Sequence, residues 1–433
     1  MSTRRIDIDV PTLARVEGEG ALELTVEGGR LTRVHLRIFE PPRLFEKFLE
    51  GHAPDEVVDM VARICGICPV AYQVSAARAF EGLFDITLPH GLARLRRIMY
   101  CGEWIQSHAL HIHLLAAPDF YGVADATELA RVQPEVVKRG LRLQALGNRL
   151  IALFGGRSVH PVGMRVGGFH RLPEPADCAR LAAELRAALP EADDLVRWAA
   201  ALPFPERRQD FPCLALDDPE GYPITGIECV TSDGKRFAVE DFEAHVKEFQ
   251  VPHSTAFHAH LDGRPYLVGP LARLNLHHAR LPEPVQALID EAGLALPSAN
   301  PYHGIVARAV EIRFALSEAA HLLEEHLLDP PRRAHEDGIP CAGTGFGASE
   351  APRGLLWHRY DTNPHGLVLR ARIIPPTAQN QERMEDDLRQ SLTEFGLDQP
   401  AEALRAHAEQ VVRNYDPCIS CATHFLDLRI ERR

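Results

Sequence analysis

Two hydrophobic periods divide the chain. Near its start, Leu22, Leu24 and Val26 alternate with polar positions, Glu27-Gly28-Gly29-Arg30 supplies a turn, and Leu31, Val34, Leu36 and Ile38 resume beyond it. A period of two on both sides of a Gly-Gly turn predicts an antiparallel hairpin. The period then lengthens. Leu92–Ala117 carries apolar residues at helical spacing and meets Pro118. Pro175–Ala200 is Ala- and Leu-rich with charges on its other face, and Val306–Leu328 runs into Pro330-Pro331, a hard stop. Glu382–Phe395 and Ala401–Val412 complete the predicted helices, and Tyr222–Gly269 mixes short strands with turns. There is no internal repeat and no low-complexity tract.

Composition narrows the class. The chain has 433 residues, 45% hydrophobic and 25% charged, which is ordinary for a globular protein. Its net charge of −13 argues against a general nucleic-acid binder, which needs a basic face. No apolar run approaches the length of a membrane helix. The opening Met1-Ser2-Thr3-Arg4-Arg5-Ile6-Asp7-Ile8 lacks the apolar core of a signal peptide. The expectation is a cytoplasmic protein without a membrane span. Nine cysteines in a chain of this size do not form a secreted disulfide pattern. Cys101, Cys178, Cys213, Cys229 and Cys341 are scattered, and most of them read as small buried hydrophobes.

The remaining four cysteines change the picture. Cys65-Gly66-Ile67-Cys68 lies near the start and Cys418-Ile419-Ser420-Cys421 near the end, with His424 three residues further on. Each pair can chelate one ion, and together they make an all-sulfur pocket. Zinc, nickel, copper(I) and iron–sulfur clusters all tolerate such a pocket, and structural zinc is the commonest outcome of two Cys-x-x-Cys pairs. A site that joins the two ends of a large chain forms only once the whole has folded. The expectation is therefore one interlocked unit over 1–424, not a local zinc knuckle.

Ionisable groups in Pro- or Gly-marked turns accompany the cysteines: Glu17 in Arg15-Val16-Glu17-Gly18, Glu46 in Arg43-Leu44-Phe45-Glu46, Asp119 at the end of Ser107–Asp119, and Arg353 in Glu350-Ala351-Pro352-Arg353-Gly354. Singly, each has a bland reading: Glu17 and Glu19 as solvated residues beside a hairpin, His108 and His111 as packing residues, Arg353 in any ion pair. In this order, with Arg63-Ile64-Cys65-Gly66-Ile67-Cys68, Pro376-Thr377-Ala378-Gln379-Asn380 and Asp416-Pro417-Cys418-Ile419-Ser420-Cys421-Ala422-Thr423-His424, the sequence resembles the large subunit of nickel–iron hydrogenases over nearly its full length. It looks most like the soluble NAD(P)-linked type, including the sulfhydrogenases.

The resemblance implies a helix-rich α+β fold with a central bundle of long helices and an N-terminal antiparallel β-sheet. It implies cleavage of dihydrogen to protons and electrons at a nickel–iron centre. Cys65 and Cys418 would be terminal nickel ligands, and Cys68 and Cys421 would bridge nickel to an iron carrying carbon monoxide and cyanide. Pro352, Arg353 and Thr377 would surround those diatomic ligands. Glu46, His424 and the backbone carbonyl near Ile373 would hold magnesium or a similar ion. Dihydrogen is a very weak acid, so its splitting needs a base beside the metal. A terminal thiolate and the Arg353 guanidine both remain open for that role. Glu17 would take the proton from the Cys418 sulfur, while Asp119 and Asp416 would orient Arg353.

The sequence departs from the family pattern in one place and carries one further segment. Tyr72 stands four residues after Cys68, where many relatives carry His. Residues 425–433 (Phe425 to Arg433) follow the last motif and read as an extension removed by a maturation endopeptidase. No further cysteine pattern suits an iron–sulfur cluster and no dinucleotide fingerprint is present. The electrons must therefore leave through an iron–sulfur small subunit, with flavin- and NAD(P)-binding diaphorase subunits beyond it. An apolar docking face is expected near Cys65, Cys68 and the Glu17 turn. Two other classes compete: a quinone-site or structural subunit of a respiratory complex, whose members lack the cysteine pairs, and a zinc-stabilised structural protein.

Overall fold

The N-terminal hairpin forms in the expected register. In the computed structural model, which describes residues 5–219 and 221–423, strands β2 (Gly20–Glu27) and β3 (Arg30–Ile38) pair antiparallel, with Leu22 opposite Leu36 and Leu24 opposite Val34. An additional strand, β1 (Arg5–Val10), adds to the other edge of β2. Its Ile6, Ile8 and Val10 alternate with Arg5, Asp7 and Asp9, a period of two that suits a half-buried edge strand. The inner face of this sheet packs on Met384, Leu388, Leu392, Val411 and Val412. These belong to helices near the C-terminus, so the two ends of the chain share one apolar cluster.

Long helices make the centre: α1 (Pro69–Leu83), α2 (His90–Leu110), α3 (Pro134–Gly155), α4 (Pro175–Ala200) and α5 (His303–Leu328). The α4 bounds are those the periodicity predicts, and α5 starts three residues earlier. The predicted Leu92–Ala117 helix is interrupted. After Leu110 the backbone widens into a π-helical turn over His111–Ala116, then closes again over Ala117–Phe120. Pro118 accounts for this: its missing N–H and its ring are incompatible with regular i→i−4 bonding in the preceding turn, and a widened turn absorbs the conflict. The helical segment ends at Phe120, one residue past Asp119, close to the predicted end. Helices α1 and α3 have no counterpart in the predicted set. α1 is buried nearly all round, so it shows no polar face to set a period.

Beside a two-residue ribbon of Met164–Arg165 with Gly168–Phe169, the described residues form three further sheets: β4 (Leu214–Asp217), β5 (Glu228–Thr231) and β6 (Arg236–Ala238); β7 (Val246–Gln250) with β8 (Phe257–Leu261); and β9 (Gly343–Ala351), β10 (Gly354–Thr362) and β11 (Val368–Ile374). Of the last sheet, the sequence pattern marks only the Glu350–Gly354 turn. Its first strand reads Gly-Thr-Gly-Phe-Gly, poor in strand formers. Those glycines are needed for a close approach. A Cβ at Gly345 would lie 2.2 Å from the Ala79 carbonyl oxygen, and one at Gly347 would lie 2.1 Å from that of Ser75. α1 thus lies directly on the strand backbone. Helices α6 (Pro376–Phe395) and α7 (Ala401–Asn414) and a single turn, α8 (Ile419–Ala422), close the described chain. No helix among the described residues is long and apolar enough to cross a membrane.

The widened turn and the helix before it bury three imidazoles. Burial pushes His108 down to about 4 and His111 and His113 to about 3. In His113 the Nδ1–H donates to the Ala109 carbonyl at 2.9 Å while Nε2 accepts from Arg139 Nε at 3.1 Å, a tautomer with no room for a second proton. Each imidazole is neutral in the fold and titrates near 6.5 when unfolded. Between these values the unfolded chain binds more protons, so the contribution is complete above roughly pH 6.5 and is lost as pH falls toward 4 and 3. The expected result is a urea midpoint that declines steadily below about pH 6.5. A midpoint constant from neutrality down to the folded values would contradict it.

Candidate metal centre

The two Cys-x-x-Cys motifs converge. Cys65 Sγ lies 3.5 Å from Cys418 Sγ, Cys68 Sγ 3.5 Å from Cys421 Sγ, and Cys418 Sγ 2.8 Å from Cys421 Sγ. All four sulfurs fall within 4.8 Å of one another, none is in a disulfide, and each cysteine is at most 4% exposed. A tetrahedron with metal–sulfur bonds of about 2.3 Å has an edge of roughly 3.8 Å, so the pocket has the dimensions of a metal site.

Local structure explains the convergence. Cys68 is the residue before α1, with Pro69 at the first helical position, and Cys418 is the residue before α8. Both helical elements begin where the backbone turns, which directs paired sulfurs inward. Asp416, before Pro417, takes the left-handed conformation with φ 55. The ends are then tied together. Glu17 and Cys418 form a parallel bridge, and the Arg43 N–H donates to the Thr423 carbonyl at 2.7 Å. The Arg43 guanidinium reaches the Ile64 carbonyl at 2.5 Å and also the Ser420 carbonyl, clamping one cysteine loop to the other. Glu103, wholly buried, accepts the N–H groups of Val70 at 2.6 Å and Ala71 at 3.1 Å and so caps α1 beside Cys68. Sequence reasoning identifies neither Arg43 nor Glu103 as a site residue. Arg43 stands in the same short segment as Glu46, but a clamp through two distant carbonyls leaves no local signal.

Electrostatics separate one cysteine from the others. Burial pushes the Cys68, Cys418 and Cys421 thiols up. Cys65 is equally buried, yet hydrogen bonds from the other three thiols and the nearby Arg353 guanidinium hold it well below the usual thiol range. The amides of Ile67 and Cys68 also point at its sulfur, both at 3.3 Å. Loading a soft ion therefore displaces protons from the remaining sulfurs.

Buried donors and apolar groups surround the four sulfurs. Arg353 is buried, with Nε on the Asp416 carbonyl at 2.7 Å and Nη2 on its carboxylate at 3.0 Å, while Nη1 has no hydrogen-bond partner among the described residues. Burial alone would favour neutral arginine, but Asp416 and the cysteine sulfurs keep the guanidinium cationic. Thr377 Oγ1 accepts the Cys418 N–H at 3.0 Å, so its own proton remains a donor. Pro352 is buried beside Arg353. Tyr72 is buried, and burial beside the Cys421 and Cys68 sulfurs pushes its phenol up. Its hydroxyl has no partner among the described residues, and its ring leans on His358 at 5.6 Å.

Other expected residues fall differently. Glu17 Oε2 accepts the Cys418 thiol at 3.0 Å and the Ser420 N–H at 3.1 Å. Asp119 does not orient Arg353: its carboxylate is taken by Arg15 at 2.5 Å and by Arg413 at 2.8 Å through both oxygens. The π-helical turn carries Asp119 out toward the Arg15 loop, where it joins the N-terminal turn to α7. Glu46 Oε1 accepts the Ile373 N–H at 2.7 Å, which brings two of the three residues expected around a hard cation together. The third, His424, and the extension at 425–433 lie outside the described residues.

Gly18 sets the distance between Glu17 and the sulfurs. Its φ is +88, and a Cβ there would lie 2.6 Å from Glu40 Oε1 and 2.7 Å from Ile419 Cβ. Gly18→Ala is expected to push the Glu17 loop off α8 and to lower turnover at the sulfur site by about 10²-fold, the usual consequence of a displacement near 1 Å. Nickel content should stay unchanged, because no sulfur moves. Turnover at the unmodified rate would refute the positioning role.

Comparison with known proteins agrees with this site. The family model described as nickel-dependent hydrogenase matches residues 43–139 and 254–424, which include all four cysteines. The alpha subunit of sulfhydrogenase 1 of Pyrococcus furiosus is 34% identical over 99% of this chain and 100% of its own length. The alpha subunit of sulfhydrogenase 2 from the same organism is 34% identical over 97% of this chain and 100% of its own. Among solved structures, an NAD+-reducing NiFe hydrogenase in its H2-reduced state superposes with a TM-score of 0.88 at 27% identity, covering 98% of this chain and 100% of that one. An NiFeSe hydrogenase of Dm. baculatum shares the fold, with a TM-score of 0.77 at 22% identity over 97% of this chain and 100% of that one. With the sulfurs gathered as a soft-metal pocket and the family model spanning both motifs, this chain belongs to the nickel-dependent hydrogenases, as the catalytic large subunit of a NiFe hydrogenase.

Proposed function

We propose that this subunit splits dihydrogen in the cytoplasm and that the electrons leave through an iron–sulfur small subunit and flavin-bearing diaphorase subunits to NAD(P). The observation that carries the catalytic part is the Glu17 carboxylate 3.0 Å from the Cys418 sulfur, a base within reach of a ligand. Full-length similarity to sulfhydrogenase alpha subunits and to a chain of an NAD+-reducing enzyme supports the acceptor.

In this reading Cys65, Cys68, Cys418 and Cys421 would hold the nickel, with Cys68 and Cys421 also available to an iron that would carry carbon monoxide and cyanide. A bound nickel–iron centre supplies the two-electron acceptor that polarises dihydrogen. The chain's own residues handle the proton. Cys418 Sγ receives it and Glu17 takes it from the sulfur. Outward lies Glu40, which accepts the Ser420 hydroxyl at 3.4 Å and the Glu19 N–H at 2.7 Å and is partly exposed. Arg353 acts as a fixed cation, since two of its nitrogens are committed to Asp416. Its remaining Nη1 and the Thr377 hydroxyl supply donors to the diatomic ligands, and buried Pro352 supplies packing. Glu46 and Ile373, with His424, hold magnesium or a similar hard ion at the base of the C-terminal segment.

Residues 1–424 act as one interlocked unit, supported by the Arg43 clamp across both cysteine loops. The partner face lies beside the Cys65 loop. Val159 and Val162 are 52% and 40% exposed there, with Val159 against Gly66, and this supports an apolar contact at that edge. Residues 425–433 are the extension cut by a maturation endopeptidase.

Purification of the active complex tests the assignment. The expected result is co-isolation with an iron–sulfur subunit and dihydrogen-dependent reduction of NAD+ or NADP+. Reduction of artificial dyes alone by a complete complex would remove the nucleotide acceptor. The mass of this subunit in active enzyme should end at His424, and an intact tail through Arg433 in fully active protein would remove the maturation step.

A further inference from the structure

A second cluster of metal-ligating side chains lies away from the sulfur pocket. His253 follows β7, His258 is the second residue of β8, and Glu385 projects from the middle of α6. One ligand atom from each falls within 4.8 Å of the others. His253 Nε2 is 2.8 Å and His258 Nε2 3.8 Å from Glu385 Oε1.

His258 makes the cluster more than a hydrogen-bonded triad. Its side chain is fully buried, and neither ring nitrogen has a hydrogen-bond partner among the described residues. Each ring nitrogen of an imidazole is a hydrogen-bonding or metal-binding group, and here neither forms a hydrogen bond. Such a group is rare without a ligand. Its Nε2 points at the carboxylate at a distance too long for a hydrogen bond and suited to two ligands of one ion. The second arm is held in place: Glu385 Oε1 accepts the Leu36 N–H of β3 at 2.8 Å. The third arm is covered from outside by His35, whose ring stacks flat on His253 at 3.9 Å and 2°.

The cluster also has an entry. An open groove of about 600 Å³, lined by Arg37 to Phe39 and Gln250 to Thr255, reaches the surface at His253. His253 is 16% exposed while Glu385 is 8% and His258 0%, so the ligands run from the groove floor inward.

We infer that His253, His258 and Glu385 form a binding site for a borderline divalent transition-metal ion of the zinc class, with a fourth position open to the groove. Two imidazoles and one carboxylate select such ions over magnesium or calcium, which require oxygen shells. A donor set without sulfur separates the site from the nickel pocket. The bound ion replaces the His253–Glu385 hydrogen bond and ties the segment between β7 and β8 to α6, the helix whose first turn carries Thr377 beside Cys418.

Cobalt(II) is the probe. The mature multi-subunit enzyme, freed of loosely held ions by dialysis, is titrated with Co2+ alone. One equivalent beyond the nickel–iron content should bind, with ligand-field bands in the visible and no sulfur-to-cobalt charge transfer, and Zn2+ should displace it. His253→Gln, at the partly exposed edge, should weaken Co2+ binding by at least about tenfold while dihydrogen turnover stays unchanged. Glu385→Gln should abolish the cobalt spectrum. Failure of the unmodified enzyme to take up the ion overturns the site, as does uptake undiminished in His253→Gln or a spectrum with sulfur charge transfer. Any of these findings returns His258 to a role in packing alone.

Discussion

Cys421→Ser should leave a chain that carries no nickel and no dihydrogen activity, although its helices form normally. The reason is the pocket's construction. Cys421 Sγ lies 3.5 Å from Cys68 and 2.8 Å from Cys418, so it touches a sulfur of each motif. A serine hydroxyl is a harder donor with a far higher pKa than a thiol, and its shorter bond leaves a gap against a soft ion. The apolar surroundings stay intact, because serine adds no volume. Metal analysis of the purified subunit should fall from about one nickel per chain to none, and turnover should drop by more than about 10³-fold. The infrared bands expected of the proposed carbon monoxide and cyanide ligands should vanish with it. A serine variant that retains nickel and those bands would break the assignment of Cys421 as a bridge.

Glu17→Gln should give the opposite pattern, with the centre assembled and catalysis lost. The substituted amide keeps the volume and can still accept the Ser420 N–H that Glu17 accepts at 3.1 Å. It cannot take up a proton from Cys418 Sγ, which lies 3.0 Å from the native carboxylate. Removing a general base typically costs about 10²–10⁴-fold, and the hydrogen–deuterium exchange rate should fall by about that much. Nickel content and infrared bands should match those of the unmodified enzyme. Exchange at the full rate would take Glu17 out of the proton path and leave the sulfur to discharge elsewhere. The two variants together separate holding the metal from moving the proton.

Some of this architecture is legible residue by residue. The β2–β3 hairpin announces itself because its apolar positions alternate with polar ones on either side of a Gly-Gly turn. Something similar holds for α4, whose charged face marks both period and ends. α1 and β9 are hidden for complementary reasons. One is buried nearly all round and the other glycine-rich, and each is stabilised by lying on the other. The cysteine pairs stand out because two soft ligands three residues apart are a local signal. Asp119 pairs away from Arg353. Its true partners, Arg15 and Arg413, are brought to it only by the meeting of distant segments. His253, His258 and Glu385 leave no mark in the sequence for the same reason: two lie in a strand region and one on a helix over a hundred residues away, with no shared spacing.

What the sequence determined by itself was the chemistry on offer: two pairs of soft sulfur ligands, a carboxylate and an arginine in turns, and the periods of the principal hairpin and helices. These depend on neighbours a few positions apart, where backbone geometry alone relates residues. What only the tertiary structure decided was which groups face one another. The left-handed Asp416, the Arg43 clamp and the glycine at 18 bring opposite ends of the chain to within a bond length or two of a common point. Such distances follow from packing of the whole chain, and no stretch of local sequence contains them.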